Sequence, residues 1–119
     1  MDNKLTKEEL NDFSGTEKYY HNLIGNFNYT DGVKFLADKG KAYWLLDAIG
    51  SYQISDKIRQ IKFQVWKLET NLKNQTARLS LLDEDREEIV FQEIPYTDFP
   101  LEEIEVWLIN KVLILPGEY

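Results

Sequence analysis

The sequence predicts an α+β domain, with N-terminal helices packed on one face of a four- to five-stranded antiparallel sheet. Three observations predict it. A capping box stands near the start of the chain, apolar residues recur at helical spacing up to about residue 52, and beyond residue 60 the apolar period shortens to two. Helices first and strands second give segregated elements, which cover one face of a sheet rather than alternate with it.

Thr6-Lys7-Glu8-Glu9 is the capping box. Thr6 accepts from the Glu9 amide, Glu9 reaches back, and Leu5 and Leu10 form the hydrophobic staple. This helix is expected to end near Phe13-Ser14-Gly15, with Gly15 as its left-handed stop. Residues 16–29 fit either a helix or an edge strand, because Gly25, Asn26 and Asn28 interrupt regular structure. A second helix starts at Thr30 or Asp31, runs to about Asp38 on Val33, Leu36 and Ala37, and stops at Gly40. The third spans about Ala42 to Tyr52, with Ala42, Leu45, Leu46 and Ile49 on one face.

The strand pattern follows. Ile61, Phe63 and Val65 alternate with Lys62 and Gln64, and Trp66 and Leu68 then fall in the other phase, as if the strand switched face. Residues 71–75 supply a turn. Ala77, Leu79 and Leu81 alternate with Arg78 and Ser80, and Ile89-Val90-Phe91 continues as strand after the acidic run Asp83 to Glu88. Ile104 to Ile109 and Val112 to Leu115 flank Asn110-Lys111, a two-residue hairpin turn. Residues 112–115 are an edge strand on this reading, able to join two copies of the chain.

A length of 119 residues suits one domain, residues 1–119, without room for a second. The net charge is −7, and most of the acidic excess lies beyond residue 60. An acidic surface repels phosphates, so direct nucleic-acid binding is disfavoured. The chain has no cysteine and one histidine, which excludes disulfides, thiol nucleophiles and multi-histidine metal sites. No metal or cofactor is expected, and Gly-rich phosphate loops and known catalytic signatures are absent. The first residues carry no apolar secretion signal, and no apolar run approaches the roughly 20 residues that cross a bilayer. A cytoplasmic protein without membrane attachment is expected.

Seven motifs combine along the chain. They are Gly15-Thr16, Tyr19-Tyr20-His21, Tyr29-Thr30-Asp31-Gly32-Val33, Tyr43-Trp44-Leu45-Leu46-Asp47, Phe63-Gln64-Val65-Trp66, Tyr96-Thr97-Asp98-Phe99-Pro100-Leu101 and Leu115-Pro116-Gly117-Glu118-Tyr119. Their order resembles a family of small, uncharacterised bacterial proteins classed as a domain of unknown function. The resemblance covers nearly the whole chain and implies fold and cytoplasmic bacterial origin, without an activity or cofactor.

His21 is the only side chain that ordinarily titrates near neutrality. With Asp31 or Asp47 as its orienting carboxylate it makes an acid–base pair, the basis of an enzymatic reading. The two Tyr-Thr-Asp triplets, Tyr29-Thr30-Asp31 and Tyr96-Thr97-Asp98, are caps or turns on backbone grounds. If they converge, they present paired carboxylates to one ligand. Pro100, following the second triplet, suits a first helical turn. Trp44 and Asp47 complete the candidate binding residues, and Trp44, Trp66 and Trp107 each fit a packing face. The thin catalytic inventory, the tyrosine excess and the acidic second half favour a non-enzymatic module that binds a protein partner. The alternatives are the His21 enzyme and an acidic nucleic-acid mimic built on Asp83 to Glu88.

Overall fold

The computed structural model describes residues 4–14 and 18–119. The stop expected at Gly15 lies outside the described residues. Helix α1 spans Lys7–Asn11 and carries the predicted capping box, with the Glu9 amide 3.3 Å from Thr6 Oγ1 and the Thr6 amide 3.0 Å from Glu9 Oε1. Leu5 and Leu10 are both buried, as a staple requires. Strands β1 (Tyr20–Asn22) and β2 (Phe27–Tyr29) form a short hairpin. Residues 25–28, read as a break, make its turn and return, and Asn26 takes a φ of 52° there. Three-residue strands are too short for a period-two signal to emerge.

Helices α2 (Asp31–Lys39) and α3 (Tyr43–Tyr52) stand where the apolar spacing puts them. Thr30 caps α2, accepting from the Val33 amide. A four-residue helix, α4 (Asp56–Arg59), was not legible, since one turn carries no periodicity. Strands β3 (Phe63–Asn71), β4 (Thr76–Leu82), β5 (Glu88–Ile94), β6 (Glu103–Ile109) and β7 (Val112–Ile114) complete the sheet. A 3₁₀ turn at Pro116–Glu118 follows.

The described residues thus form an α+β fold with four helices and one seven-stranded mixed sheet, in the order β1-β2-β7-β6-β3-β4-β5. The expected antiparallel sheet of four or five strands is corrected on two points. The N-terminal hairpin adds two strands, and β2 pairs with β7 in parallel. That pairing puts β7 inside the sheet, between β2 and β6, so residues 112–115 are not the edge expected for self-association. The Asn110-Lys111 turn is as expected, with φ values of 49° and 66°, the signature of a type I′ hairpin. Pro100 opens no helix. Residues 96–100 are irregular, and this segment carries Phe99 into the core. No helix among the described residues is long and apolar enough to cross a membrane.

Strand β3 does not switch face. Gln64, Trp66, Leu68 and Thr70 all point to the buried side, and Phe63, Val65, Lys67 and Glu69 to the other. Gln64 is buried because its amide is fully met. Gln53 Nε2 donates to Gln64 Oε1 at 2.8 Å, and Gln64 Nε2 donates back to Gln53 Oε1 at 2.9 Å. Gln64 also donates to the carbonyls of Ile58 and Ile61, and Trp66 Nε1 donates to Gln64 Oε1 at 3.0 Å. This pair ties β3 to the C-terminal end of α3 and to α4. Removing Gln64 strips the bond from buried Gln53 Oε1 and from the Trp66 indole, a loss of about 1–3 kcal/mol. Gln64→Leu is therefore expected to lower stability by about that much. Gln53→Leu/Gln64→Leu should lose less than the two single changes summed, read from urea unfolding. Additive losses would mean the amides are not coupled.

Candidate functional site

His21 and Asp47 are held apart by the pleat of β1. His21 and Asn22 are successive strand residues and face opposite sides. Asn22 faces the helices, where its Nδ2 donates to Asp47 Oδ1 at 3.0 Å and its Oδ1 accepts from the Gly25 amide at 2.8 Å. His21 faces the other side, with Nδ1 2.8 Å from Oδ1 of Asn28, its cross-strand partner. Among the described residues the partner of His21 is thus an amide, and the expected pairing with Asp31 or Asp47 is not formed.

The two Tyr-Thr-Asp triplets do not converge. Tyr29 aligns with Leu113, Leu113 with Leu108, and Leu108 with Gln64 near the start of β3. The Thr97 amide donates to the carbonyl of Gln75, in the turn beyond the far end of β3. Roughly 20 Å of strand separates these levels, at about 3.3 Å per residue. Each triplet serves its own backbone. Thr30 caps α2, with Asp31 in that helix's first turn, where a carboxylate complements the dipole. Thr97 Oγ1 accepts from the Phe99 amide at 3.1 Å. Tyr96 and Asp98 are exposed. Among the described residues no group of three or more acidic or histidine side chains is placed to hold a metal ion.

What Thr30 does meet is the far end of the chain. Its hydroxyl donates to Glu118 Oε1 at 2.7 Å, and the Leu115 amide donates to the same oxygen at 2.9 Å. Gly32 makes the space. A Cβ there would stand 2.7 Å from Leu115 Cδ1 and 2.8 Å from Glu118 Oε1. The Glu118 carboxylate thus lies against the first turn of α2, as helix electrostatics favour. Two motifs separated by most of the sequence form one latch.

Beside it, Tyr29 is buried and stacks on Tyr20 with centroids 5.7 Å apart. Burial raises the Tyr29 hydroxyl pKa. Lys34 Nζ bonds Asp38 Oδ2 at 2.6 Å, and the Tyr43 hydroxyl donates to Asp38 Oδ1. The hydrogen bond from Lys34, then that from Tyr43, hold the Asp38 carboxyl below its ordinary pKa. Trp44, next to Tyr43, is half-buried against the core. This cluster joins α2 to α3 and is structural in every contact.

Among the described residues no α-helix packs on the opposite face of the sheet. The register places Phe63 and Val65 of β3, Leu82 of β4, Phe91 of β5, Trp107 and Ile109 of β6 and Ile114 of β7 on that side. Tyr119 folds onto it. Phe63, Trp107 and Tyr119 form a ring trio, with centroids 5.2 to 5.6 Å apart. Phe91 is 51% exposed and Tyr119 77%. A cavity of about 830 Å³ opens here, walled by Phe63, Val65, Leu82, Ile89 and Trp107 and rimmed by Asp83, Glu84, Asp85 and Arg86. Toward the other end the face becomes charged. Arg78 bridges Glu88 and Glu93 and lies 3.7 Å from the Phe91 ring centroid. Arg86 pairs with Glu105, and Lys67 with Glu103.

Within the acidic run, Asp83 Oδ1 accepts from the amides of Asp85 and Glu87, and Glu88 is held by Arg78 and Ser80. The Arg78 bond, then that from Ser80, lower the Glu88 pKa. Glu84, Asp85 and Glu87 stay exposed at the rim. Sequence reasoning missed Phe63, Val65 and Tyr119. The signal was present as apolar residues in both phases of β3, since a strand apolar on both sides has a second face to cover.

A family model described as a family of unknown function (DUF6876) matches residues 4–119. The chain belongs to that family. No curated protein and no solved structure matches it. In this DUF6876 member the Tyr29–Val33 and Leu115–Tyr119 motifs are the two halves of the latch, and the Phe63–Trp66 motif supplies both the amide lock and the open face.

Two predictions follow from the latch and the α2–α3 cluster. Gly32→Ala should destabilise by about 1–3 kcal/mol through overpacking, although alanine is the better helix former. The loss should shrink in a Glu118→Ala background, compared by urea midpoints; an equal loss in both would mean the Cβ is not meeting Glu118. Asp38, with its lowered folded pKa, contributes stability that is present above the unfolded carboxyl value and lost as pH falls through the folded one. Asp38→Asn should therefore lower the unfolding free energy at pH 7, read from urea titration, by under about 1 kcal/mol because the pair is half exposed. The difference should close once the pH falls below the lowered value of folded Asp38, where both side chains are uncharged.

Proposed function

We propose that this chain is a non-enzymatic binding module whose helix-free sheet face receives an apolar and basic segment of another protein. The observation that carries this reading is the contiguous apolar surface of Phe63, Val65, Trp107 and Tyr119, continued by Leu82, Ile89 and Phe91. Soluble chains rarely leave such a surface uncovered unless something binds there. Aromatic side chains bring large, stiff contact area with a polar handle.

Charge selects the partner's character. Glu69, Glu93, Glu103 and Glu105 share the face with Lys67 and Arg78, and Asp83, Glu84 and Asp85 rim the cavity. The excess is negative, so a basic partner is attracted and an acidic one repelled. The acid–base alternative has no comparable support, because the His21 ring is engaged by Asn28.

The test uses two synthetic octapeptides, one alternating leucine with lysine and the other leucine with glutamate. The lysine peptide should bind saturably, weaken as salt rises, and shift amide resonances at Phe63, Val65, Leu82 and Trp107. Phe63→Ser/Trp107→Ser should reduce that affinity at least tenfold while the urea midpoint moves little. Equal binding of both peptides, or shifts elsewhere on the molecule, would overturn the proposal. Concentration-dependent self-association that buries Trp107 would overturn it as well, since the face would then belong to a second copy.

A further inference from the structure

A second cavity, of about 620 Å³, lies at the end of the sheet where the β1–β2 and β6–β7 turns meet the end of α3 and α4. Its volume suits a small organic ligand. Three cations line it, Arg59, Lys62 and Lys111, and no carboxylate does. In a chain of net charge −7 this is a local reversal of sign. Arg59 is oriented by bonds to the Gln53 carbonyl and to Asp56, whose side chain is 75% exposed. Neither Lys62 nor Lys111 is ion-paired among the described residues.

The rest of the cavity is amphipathic. Its polar wall is the Gln53–Gln64 pair, whose amides are already bonded to each other and are therefore rigid. Ile24 and Ile54 lie on its apolar side, 52% and 72% exposed, beside Leu23 at 87%. Lys111 stands at a φ of 66° in the type I′ turn, where glycine is the unstrained choice. A lysine at this position of the cavity wall therefore stands in a backbone conformation that disfavours it relative to glycine.

The geometry points to a binding site for an amphipathic organic anion. Its phosphate or carboxylate head sits among Arg59, Lys62 and Lys111, and its apolar tail lies along Ile24 and Ile54. The head receives charge-assisted bonds, while the tail covers side chains otherwise left in water. The same chemistry occurs in a free alkyl phosphate and in an anionic phospholipid, which the experiment separates.

The probes are octyl phosphate at monomeric concentrations, octanol, inorganic phosphate, and vesicles of phosphatidic acid or of phosphatidylcholine. Octyl phosphate should bind saturably, at least tenfold tighter than octanol or inorganic phosphate, and shift the amides of Gly25, Asn26, Ile54 and Lys111. Lys62→Ser/Lys111→Gly should lower that affinity at least tenfold. The glycine suits its turn, so the fold is kept, and the urea midpoint checks it. Pelleting with phosphatidic acid vesicles but not phosphatidylcholine, lost in the same double variant, would assign the head group to a bilayer lipid. Octyl phosphate binding without pelleting would assign it to a free ligand. Octanol binding as tightly as octyl phosphate, an unaffected double variant, or no binding by octyl phosphate or either vesicle would overturn the inference. Lys62 also borders the Trp107-face cavity, whereas Gly25, Asn26, Ile54 and Lys111 border only this one, so the amide shifts at those four residues keep the two proposals separate.

Discussion

The reciprocal amide pair of Gln53 and Gln64 fixes which way strand β3 faces. Side chains alternate along a strand, so placing one residue places all of them. With Gln64 inside, Trp66 and Leu68 enter the core and Phe63 and Val65 leave it. A slip by one residue would put Phe63 and Val65 under the helices and expel Trp66. It would also strip Gln53 of its partner. β3 is an interior strand of the seven-stranded order, paired with both β4 and β6, so its facing propagates to Arg78 and Phe91 on one side and Trp107 on the other.

A second polar contact closes the C-terminal segment against α2. β7 inserts beside β2, which brings the C-terminal segment to the start of α2. There Glu118 meets Thr30 in the space that Gly32 leaves. The latch sets the position of the next residue, and Tyr119 comes to rest on Phe63 and Trp107. One polar contact under the helices and one at the chain end therefore shape an aromatic surface on the far side of the sheet. Nothing in that surface is needed to close the core, which lies on the helix side.

Much of the fold was legible because its signals are local. The Thr6 box, the Thr30 cap, the apolar face of α3 and the Asn110-Lys111 turn each act over a few residues, and each stands where its residue types put it. The misreadings share a cause, which is pairing across sequence distance. β1 and β2 exist as strands because β7 receives them, and no period in three residues announces that. The alternation puts Gln64 on the solvent side of β3 because glutamine is usually exposed, whereas Gln53, eleven residues earlier, together with the carbonyls of Ile58 and Ile61 and the Trp66 indole, makes it a core residue. The candidate site followed the same rule. Thr30 and Thr97 were readable as backbone caps, while the partnership of Thr30 with Glu118 spans 88 positions. His21 drew attention by its chemistry, yet the pleat of β1 turns it away from Asp47.

The facing of β3 is open to direct observation by nuclear Overhauser contacts in a labelled sample. The Trp66 indole proton should show contacts to the Gln64 side-chain amide and the Tyr52 ring, and the Trp107 indole to the rings of Phe63 and Tyr119 without contact to α2 or α3. Contacts from Phe63 or Val65 to Leu45, Leu46 or Ile49 of α3 would mean the strand faces the other way, and the open aromatic surface would not exist.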